Sequence, residues 1–250
     1  MATVSYVNYF GTHTPWNRYC LDLAILAVAV WVLLGFKKQK MDDERQNAIL
    51  LAIAFAVVSG LLCAGLLDAF FTGEWRTWFN DGEKRFGLTF AGALLGFCVG
   101  AATHASFSGL GAHFALSFLL PPLAFAQAVG RIGCFIGGCC YGVGCDFGVS
   151  YPPGSYPYSM IGSAKVFPVQ LVEAGCLFIL FGLLLCIAFR FRGAVYLLGV
   201  GIIRFILEFF RGDVRGTIFG ITIFSPQQIL SVVFFVLGII LLKSSKSISQ

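Results

Sequence analysis

Apolar residues run along this chain in long, nearly unbroken stretches separated by short polar connections. A helix that crosses a bilayer needs about 20 predominantly apolar residues, within a range of about 17–25. Seven stretches meet that length, at about 20–36, 48–71, 87–103, 114–138, 168–189, 194–210 and 224–242. None alternates apolar and polar positions over roughly ten residues, as the strands of a membrane barrel would. The pattern predicts an all-α integral membrane protein of about seven transmembrane helices. The N-terminus lacks a basic n-region and a cleavage motif. It reads as a mature polar segment over 1–19, with Trp16 and Tyr19 as interfacial anchors.

An odd number of spans puts the two ends on opposite sides. The first connection carries Lys37, Lys38, Lys40 and Arg45, which places it in the cytoplasm, the N-terminus outside and the 243–250 tail cytoplasmic. On this assignment Arg190, Arg192, Lys243 and Lys246 are also inside, whereas Arg18, Arg76, Lys84, Arg85, Lys165, Arg211 and Arg215 are outside. The first loop decides the orientation. The longest loop, 140–167, then lies on the outer side. Its prolines, in Tyr151-Pro-Pro-Gly-Ser-Tyr-Pro-Tyr, disfavour regular helix or sheet there, and loops of that length often serve as lids or binding segments. The two halves show no internal repeat, which argues against an inverted-repeat transporter. The whole of 1–250 is expected to form a single membrane domain.

Composition narrows the function classes. The chain has 250 residues, 58% hydrophobic and 12% charged, with 27 Phe and a mean hydropathy of +0.86. A soluble domain carries about 25% charged residues, so a soluble globule is excluded. The net charge is +5, but no Lys/Arg cluster is dense enough for a nucleic-acid footprint.

The informative residues are polar groups inside or beside apolar runs. A charge at mid-bilayer costs several kcal/mol on insertion scales, so it should face a polar interior. Arg131 stands among glycines in Gly130-Arg-Ile-Gly133. Arg204, Glu208 and Arg211 recur at helical spacing, which predicts one shared helix face. Gln170 and Glu173 open the fifth span, and Gln227 and Gln228 open the last. On the proposed topology all of these lie toward the outer side, as one polar site roofed by the long loop. Two or three arginines suit a phosphate, which guanidinium binds bidentately. The abundant phosphate in a bilayer is a phospholipid headgroup. A reaction on the outer side, without ATP, needs an already activated lipid whose phosphate diester departs. The plainer alternative is an Arg–Glu network that clips helices together.

Nine cysteines are many for this length. Cys20, Cys63, Cys98, Cys176 and Cys186 sit singly in apolar runs and read as core-filling. Cys134, Cys139, Cys140 and Cys145 flank Arg131, and an oxidising exterior favours a disulfide from Cys139 or Cys140 to Cys145. The C-x4-C-C-x4-C spacing is not that of a zinc ribbon, so no metal site is expected. His104 and His113 are placed in a cytoplasmic loop and His13 in the outer tail, so none is positioned as a base. No small-molecule cofactor is implied.

Four ordered segments carry a resemblance. Gly130-Arg-Ile-Gly-Cys-Phe-Ile-Gly-Gly-Cys-Cys-Tyr-Gly142 resembles the signature G-R-x-[GA]-N-F-x-N-x-E-x-x-G of the prolipoprotein diacylglyceryl transferase family. Phe167-Pro-Val-Gln-Leu-Val-Glu173 is similar to its H-P-x-Q-L-Y-E, Arg204-Phe-Ile-Leu-Glu-Phe-Phe-Arg-Gly-Asp213 to its R-F-x-x-E-F-F-R-x-P-D, and Ser225-Pro-Gln-Gln-Ile-Leu-Ser231 to its S-x-x-Q-x-x-S. Cys134 and Cys139 replace the signature Asn and Glu, and Gly137 replaces its second Asn. Thr89-Phe-Ala-Gly-Ala-Leu-Leu-Gly96 has Ala91 where the family has His, and Cys63-Ala-Gly-Leu66 lacks the Arg of G-A-R-L.

The resemblance implies transfer of diacylglyceryl from phosphatidylglycerol to the lipobox cysteine of a prolipoprotein signal peptide, at the outer face of a bacterial plasma membrane. It implies that Arg131 and Arg204 engage the lipid phosphate, with Glu208 orienting Arg204 or Arg211. Arg211, Gln170, Glu173, Tyr141, Gly130, Gly142 and Gln228 would complete the binding site. Three alternatives stand beside it. One is a related transferase with another acceptor, one a non-catalytic lipid-binding paralogue, and one a membrane thiol–disulfide protein using Cys139, Cys140 and Cys145.

Overall fold

The structure, a computed structural model, describes residues 16–72, 89–153, 156–212 and 225–247. The 1–15 part of the outer segment, Arg76, Lys84, Arg85 and Arg215 lie outside the described residues, as do the side chains of Trp16 and Lys246. The long helices are α1 (Trp16–Lys38), α2 (Asp43–Thr72), α3 (Phe90–Phe107), α4 (Ala112–Ile136), α6 (Val169–Cys186), α7 (Arg192–Leu207) and α8 (Pro226–Ser247). Between α4 and α6 come a strand, β1 (Gly144–Val149), and a short helix, α5 (Tyr156–Ile161). Single 3-10 turns precede and follow α7 at Phe189–Phe191 and Glu208–Phe210. Among the described residues seven helices are long and apolar enough to cross a membrane, the last running Pro226–Ser245. The predicted spans agree with them to within a few residues.

Two expectations need correction. The 140–167 loop contains regular structure despite its prolines. β1 ends before Pro152, and Pro157 stands in the first turn of α5, where a missing N–H costs nothing. His104 and His113 are not in a loop. The first closes α3 beside Phe55, ring centroids 5.1 Å apart. The second opens α4, and its Nε2 lies 2.6 Å from Ser245 Oγ, which donates to the Arg190 carbonyl at 3.2 Å.

The chain divides into two compact units. One gathers α1 up to Val32, Pro122–Cys186 and the stretch beginning at Ile206. It holds a partly exposed aromatic cluster in which Phe125 packs against Phe178 and Phe181 at 5.6 and 5.5 Å, and Trp31 meets Phe181 edge-on at 6.0 Å.

The other unit holds Leu33–Pro121, Ile187–Phe205 and α8. Here small residues face inward. Ala52, Ala56 and Ala64 of α2 are buried, whereas its Leu50, Leu51, Phe55, Leu61 and Leu62 are at least half exposed. That distribution suits a helix bathed in lipid, because lipid solvates large apolar side chains and helices associate by close backbone packing. Gly92, Gly96 and Gly100 of α3 repeat every fourth residue against this face. A Cβ on Gly92 would stand 2.9 Å from Ala64 Cα, and one on Gly96 would strike the Ser59 carbonyl. Ser59 Oγ donates to the Gly96 carbonyl at 2.8 Å, a bond that only such proximity allows. α7 and α8 pack likewise, with Gly201 against the Ser231 carbonyl and Gly238 against the Leu198 backbone.

Candidate active site

The site is built on the C-terminal end of α4. The apolar run stops at Ile136, and Gly137-Gly138 follows. Gly138 takes a left-handed φ of 68°, its N–H donates to the Phe135 carbonyl at 3.2 Å, and the Cys139 N–H donates to the Cys134 carbonyl at 3.1 Å. These two bonds define a Schellman motif, which satisfies the last carbonyls of the helix and folds the chain back over its final turn. Its geometry brings the second residue past the helix into contact with the residue third from the end. Here those residues are Cys139 and Cys134. Cys140 follows with φ of 60°, a conformation that side-chain-bearing residues seldom adopt.

The sulfurs of Cys134, Cys139 and Cys140 consequently lie within 4.8 Å of one another. All nine cysteines are free thiols, and Cys145 is not among the three that meet. The expected pairing with Cys145 is therefore not seen. The spacing failed as a guide because the helix end, not sequence interval, selects the neighbours. The Cys140 thiol is held below its ordinary range by hydrogen bonds from Cys134 and Cys139, with Arg211 adding to the effect. Cys139 moves the other way, raised by hydrogen bonding within the cluster and by burial, and its Sγ donates to the Cys134 carbonyl at 3.6 Å.

One turn before the cysteines, Arg131 Nε donates to Glu173 Oε1 at 3.0 Å, with 12% and 4% of the two side chains exposed. Glu173 lies in the first turns of α6, and the preceding turn supplies Gln170, 1% exposed. Gln170 Nε2 donates to the Cys139 carbonyl at 2.7 Å and to the Tyr151 hydroxyl at 2.9 Å. This amide thus fixes both the cysteine turn and the residue preceding Pro152. Its Oε1 is buried and has no hydrogen-bond partner among the described groups, so one acceptor is left unmet.

A short backbone frame brings the third element in. The Val143 N–H donates to the Phe210 carbonyl, the Gly212 N–H to the Tyr141 carbonyl, and the Phe167 N–H to the Val143 carbonyl, at 3.0, 3.0 and 2.8 Å. Gly142 is the crossing point, because a Cβ there would stand 2.8 Å from the Phe210 carbonyl and closer still to that of Phe167. The frame sets Arg211 beside Cys140 and within electrostatic reach of Arg131.

The expected residues divide accordingly. Arg131, Gln170, Glu173, Tyr141, Gly142 and Arg211 are brought together. Gly130 is exposed with open space around its Cα. The single face expected for Arg204, Glu208 and Arg211 does not form. α7 ends at Leu207, Glu208–Phe210 tightens into a 3-10 turn, and Arg211 is extended at φ −86° and ψ 137°. Arg204, 7% exposed, lies with its guanidinium carbon 6.0 Å from the Phe90 ring centroid.

Gln228 is a cap. Its Oε1 accepts from the Ser225 N–H at 2.9 Å while its own N–H donates to Ser225 Oγ at 3.2 Å. That is a capping box, legible in Ser225-Pro-Gln-Gln228 ahead of an apolar run with Pro at the first helical position. Sequence reasoning also missed Tyr151. Its place directly before Pro-Pro, where the chain is held extended, was the available signal.

Comparison with known proteins gives the family. Residues 12–243 match the family model described as prolipoprotein diacylglyceryl transferase. The phosphatidylglycerol–prolipoprotein diacylglyceryl transferase of Dehalococcoides mccartyi strain 195 is 29% identical over 75% of this chain and 72% of its own length. Enzyme 2 of that name from Clostridium perfringens strain 13 is 27% identical over 95% and 93%, and the one from Aromatoleum aromaticum is 32% identical over 86% and 81%. A helical membrane chain with this ordered set of motifs, matched over nearly its whole length, belongs to the prolipoprotein diacylglyceryl transferase family.

Proposed function

We propose that this chain transfers the diacylglyceryl group of phosphatidylglycerol to the lipobox cysteine thiol of a prolipoprotein signal peptide. The observation that carries the reading is the family match over residues 12–243, within which the signature arginine is kept as a largely covered residue held by Glu173. In the reaction the acceptor thiolate attacks the glyceryl carbon next to the phosphate. The C–S bond forms as the C–O bond breaks, glycerol phosphate leaves with the electron pair, and the thiol proton passes to solvent. Negative charge develops on the departing oxygen. A guanidinium fixed beside that oxygen before reaction stabilises the transition state with little reorganisation.

Arg131 has that role, with Arg211 as a second cation and Arg204 assigned to the same phosphate by its motif. Glu208 orients Arg204 or Arg211. The buried Oε1 of Gln170 accepts a hydroxyl of the headgroup, which would relieve its unmet acceptor. Tyr141, Gly130 and Gly142 shape the acceptor path, and Gln228 contributes by capping α8. The chain sits in a bacterial plasma membrane with the N-terminus and the α4–α6 connection outside, the lysine-rich α1–α2 connection inside, and 1–250 acting as one membrane domain.

Purified protein in vesicles of phosphatidylglycerol or of phosphatidylethanolamine, given a lipobox-type cysteine peptide, tests the reading by the diacylglyceryl mass gained by the peptide. Modification with phosphatidylglycerol alone is expected, its rate reduced at least about 100-fold in Arg131→Ala and Arg204→Ala, as for loss of one preorganised donor. Equal turnover in both folded variants would remove the assignment.

A further inference from the structure

The three sulfurs at the end of α4 form a set that the arginine chemistry does not use. They are placed by backbone, not by chance rotamers. The Schellman motif stacks Cys139 on Cys134, the left-handed Cys140 turns its sulfur back toward them, and Gln170 anchors the Cys139 carbonyl at 2.7 Å. Zinc bound by thiolates at about 2.3 Å in tetrahedral geometry sets its sulfurs about 3.8 Å apart. Separations within 4.8 Å reach that value by small side-chain rotations. Thiolate ligands select zinc over hard divalent cations. Three thiolates and Zn²⁺ leave one negative charge, and Arg131 and Arg211 both act electrostatically on this cluster.

Among the described residues no fourth Cys, His, Asp or Glu joins the three. Cys139 is exposed, so the cluster is accessible from one side. Three protein ligands with an open fourth position is the pattern of catalytic zinc, whereas closed structural sites use four. The unit that holds the cluster has no histidine among its described residues. A thiol with an ordinary acidity is mostly protonated at neutral pH, and a coordinated thiol is deprotonated outright.

We propose that Cys134, Cys139 and Cys140 bind one zinc ion whose open position takes the acceptor cysteine as its thiolate. This deepens the transferase reading and rests on it for the identity of the acceptor. Coordination releases the thiol proton to solvent. The zinc-held sulfur then attacks the glyceryl carbon, glycerol phosphate leaves, and the neutral thioether product dissociates because it is a weaker ligand.

The test uses the full-length protein purified in detergent under reducing conditions, with zinc measured by mass spectrometry and Co²⁺ exchanged in as a spectroscopic probe. About one metal per chain is expected, with the absorption of a three-thiolate tetrahedral cobalt site. Cys139→Ala and Cys140→Ala should lose it, and Cys145→Ser should keep it. Addition of a lipobox-type cysteine peptide should shift the cobalt bands, and the Ser version of that peptide should not. A folded wild-type chain that takes up neither metal overturns the site. Bands indifferent to the peptide thiol overturn the acceptor role. Failure of the transferase reading looks different, since the bands would still shift while no lipid is transferred. Transfer that needs Arg131 yet is unchanged by chelation and by Cys140→Ala would leave that reading standing and remove the zinc.

Discussion

Arg131 and Glu173 show how one ion pair can serve both folding and chemistry. Each charge is nearly covered, and neither is sustainable there alone. Glu173→Ala should lower stability by about 3–5 kcal/mol, the usual cost of stranding a buried charge, and Glu173→Gln by less because one hydrogen bond survives. Thermal unfolding in detergent checks both. Arg131→Lys should fold close to normally yet transfer poorly, because a point charge cannot reproduce the forked contact with a phosphate. At this scale the sequence was informative. A polar or charged group inside an apolar run is an exception that demands a partner, and Arg131, Gln170 and Glu173 were all recognisable on that ground. Tyr151 was not, since a tyrosine in a polar loop violates no pattern until Gln170 is seen to grip it.

Element ends carry more of the local geometry than element interiors. The Schellman turn after α4, the frame through Gly142 and the capping box before α8 each depend on a few backbone bonds. Gly138→Ala should cost about 1 kcal/mol through its left-handed φ, and it should separate Cys139 from Cys134. Loss of fast disulfide formation between these two under mild oxidant would report that separation. Ser225→Ala should destabilise by about 1 kcal/mol, the typical value of an N-cap, without changing the response to donor lipid. Spans were legible because twenty apolar residues in a row have few other fates. The shared face of Arg204, Glu208 and Arg211 was misread, because helical spacing says nothing about where α7 tightens into a 3-10 turn. The strand at Gly144–Val149 was hidden for a related reason. Its partners, Lys165 and Val166, come from a distant stretch, and pairing of that kind leaves little local trace.

For the whole molecule, the inward-facing small residues and outward-facing large ones describe a protein whose solvent is lipid. Gly96→Val should force α2 and α3 apart at the Ser59 carbonyl and cost about 1–3 kcal/mol, visible as a lower unfolding temperature in detergent. Orientation rests on Lys37, Lys38, Lys40 and Arg45, so a membrane-impermeant thiol reagent on intact cells should label Cys139 and spare Cys186, both exposed thiols. The reverse labelling would invert the topology and put the chemistry on the wrong side for an exported acceptor. The most direct measurement is the mass of a lipobox-type cysteine peptide after incubation with the purified protein and phosphatidylglycerol vesicles. The account predicts a peptide heavier by one diacylglyceryl group, absent with Arg131→Ala. An unmodified peptide, from folded protein shown to bind the lipid, would contradict it.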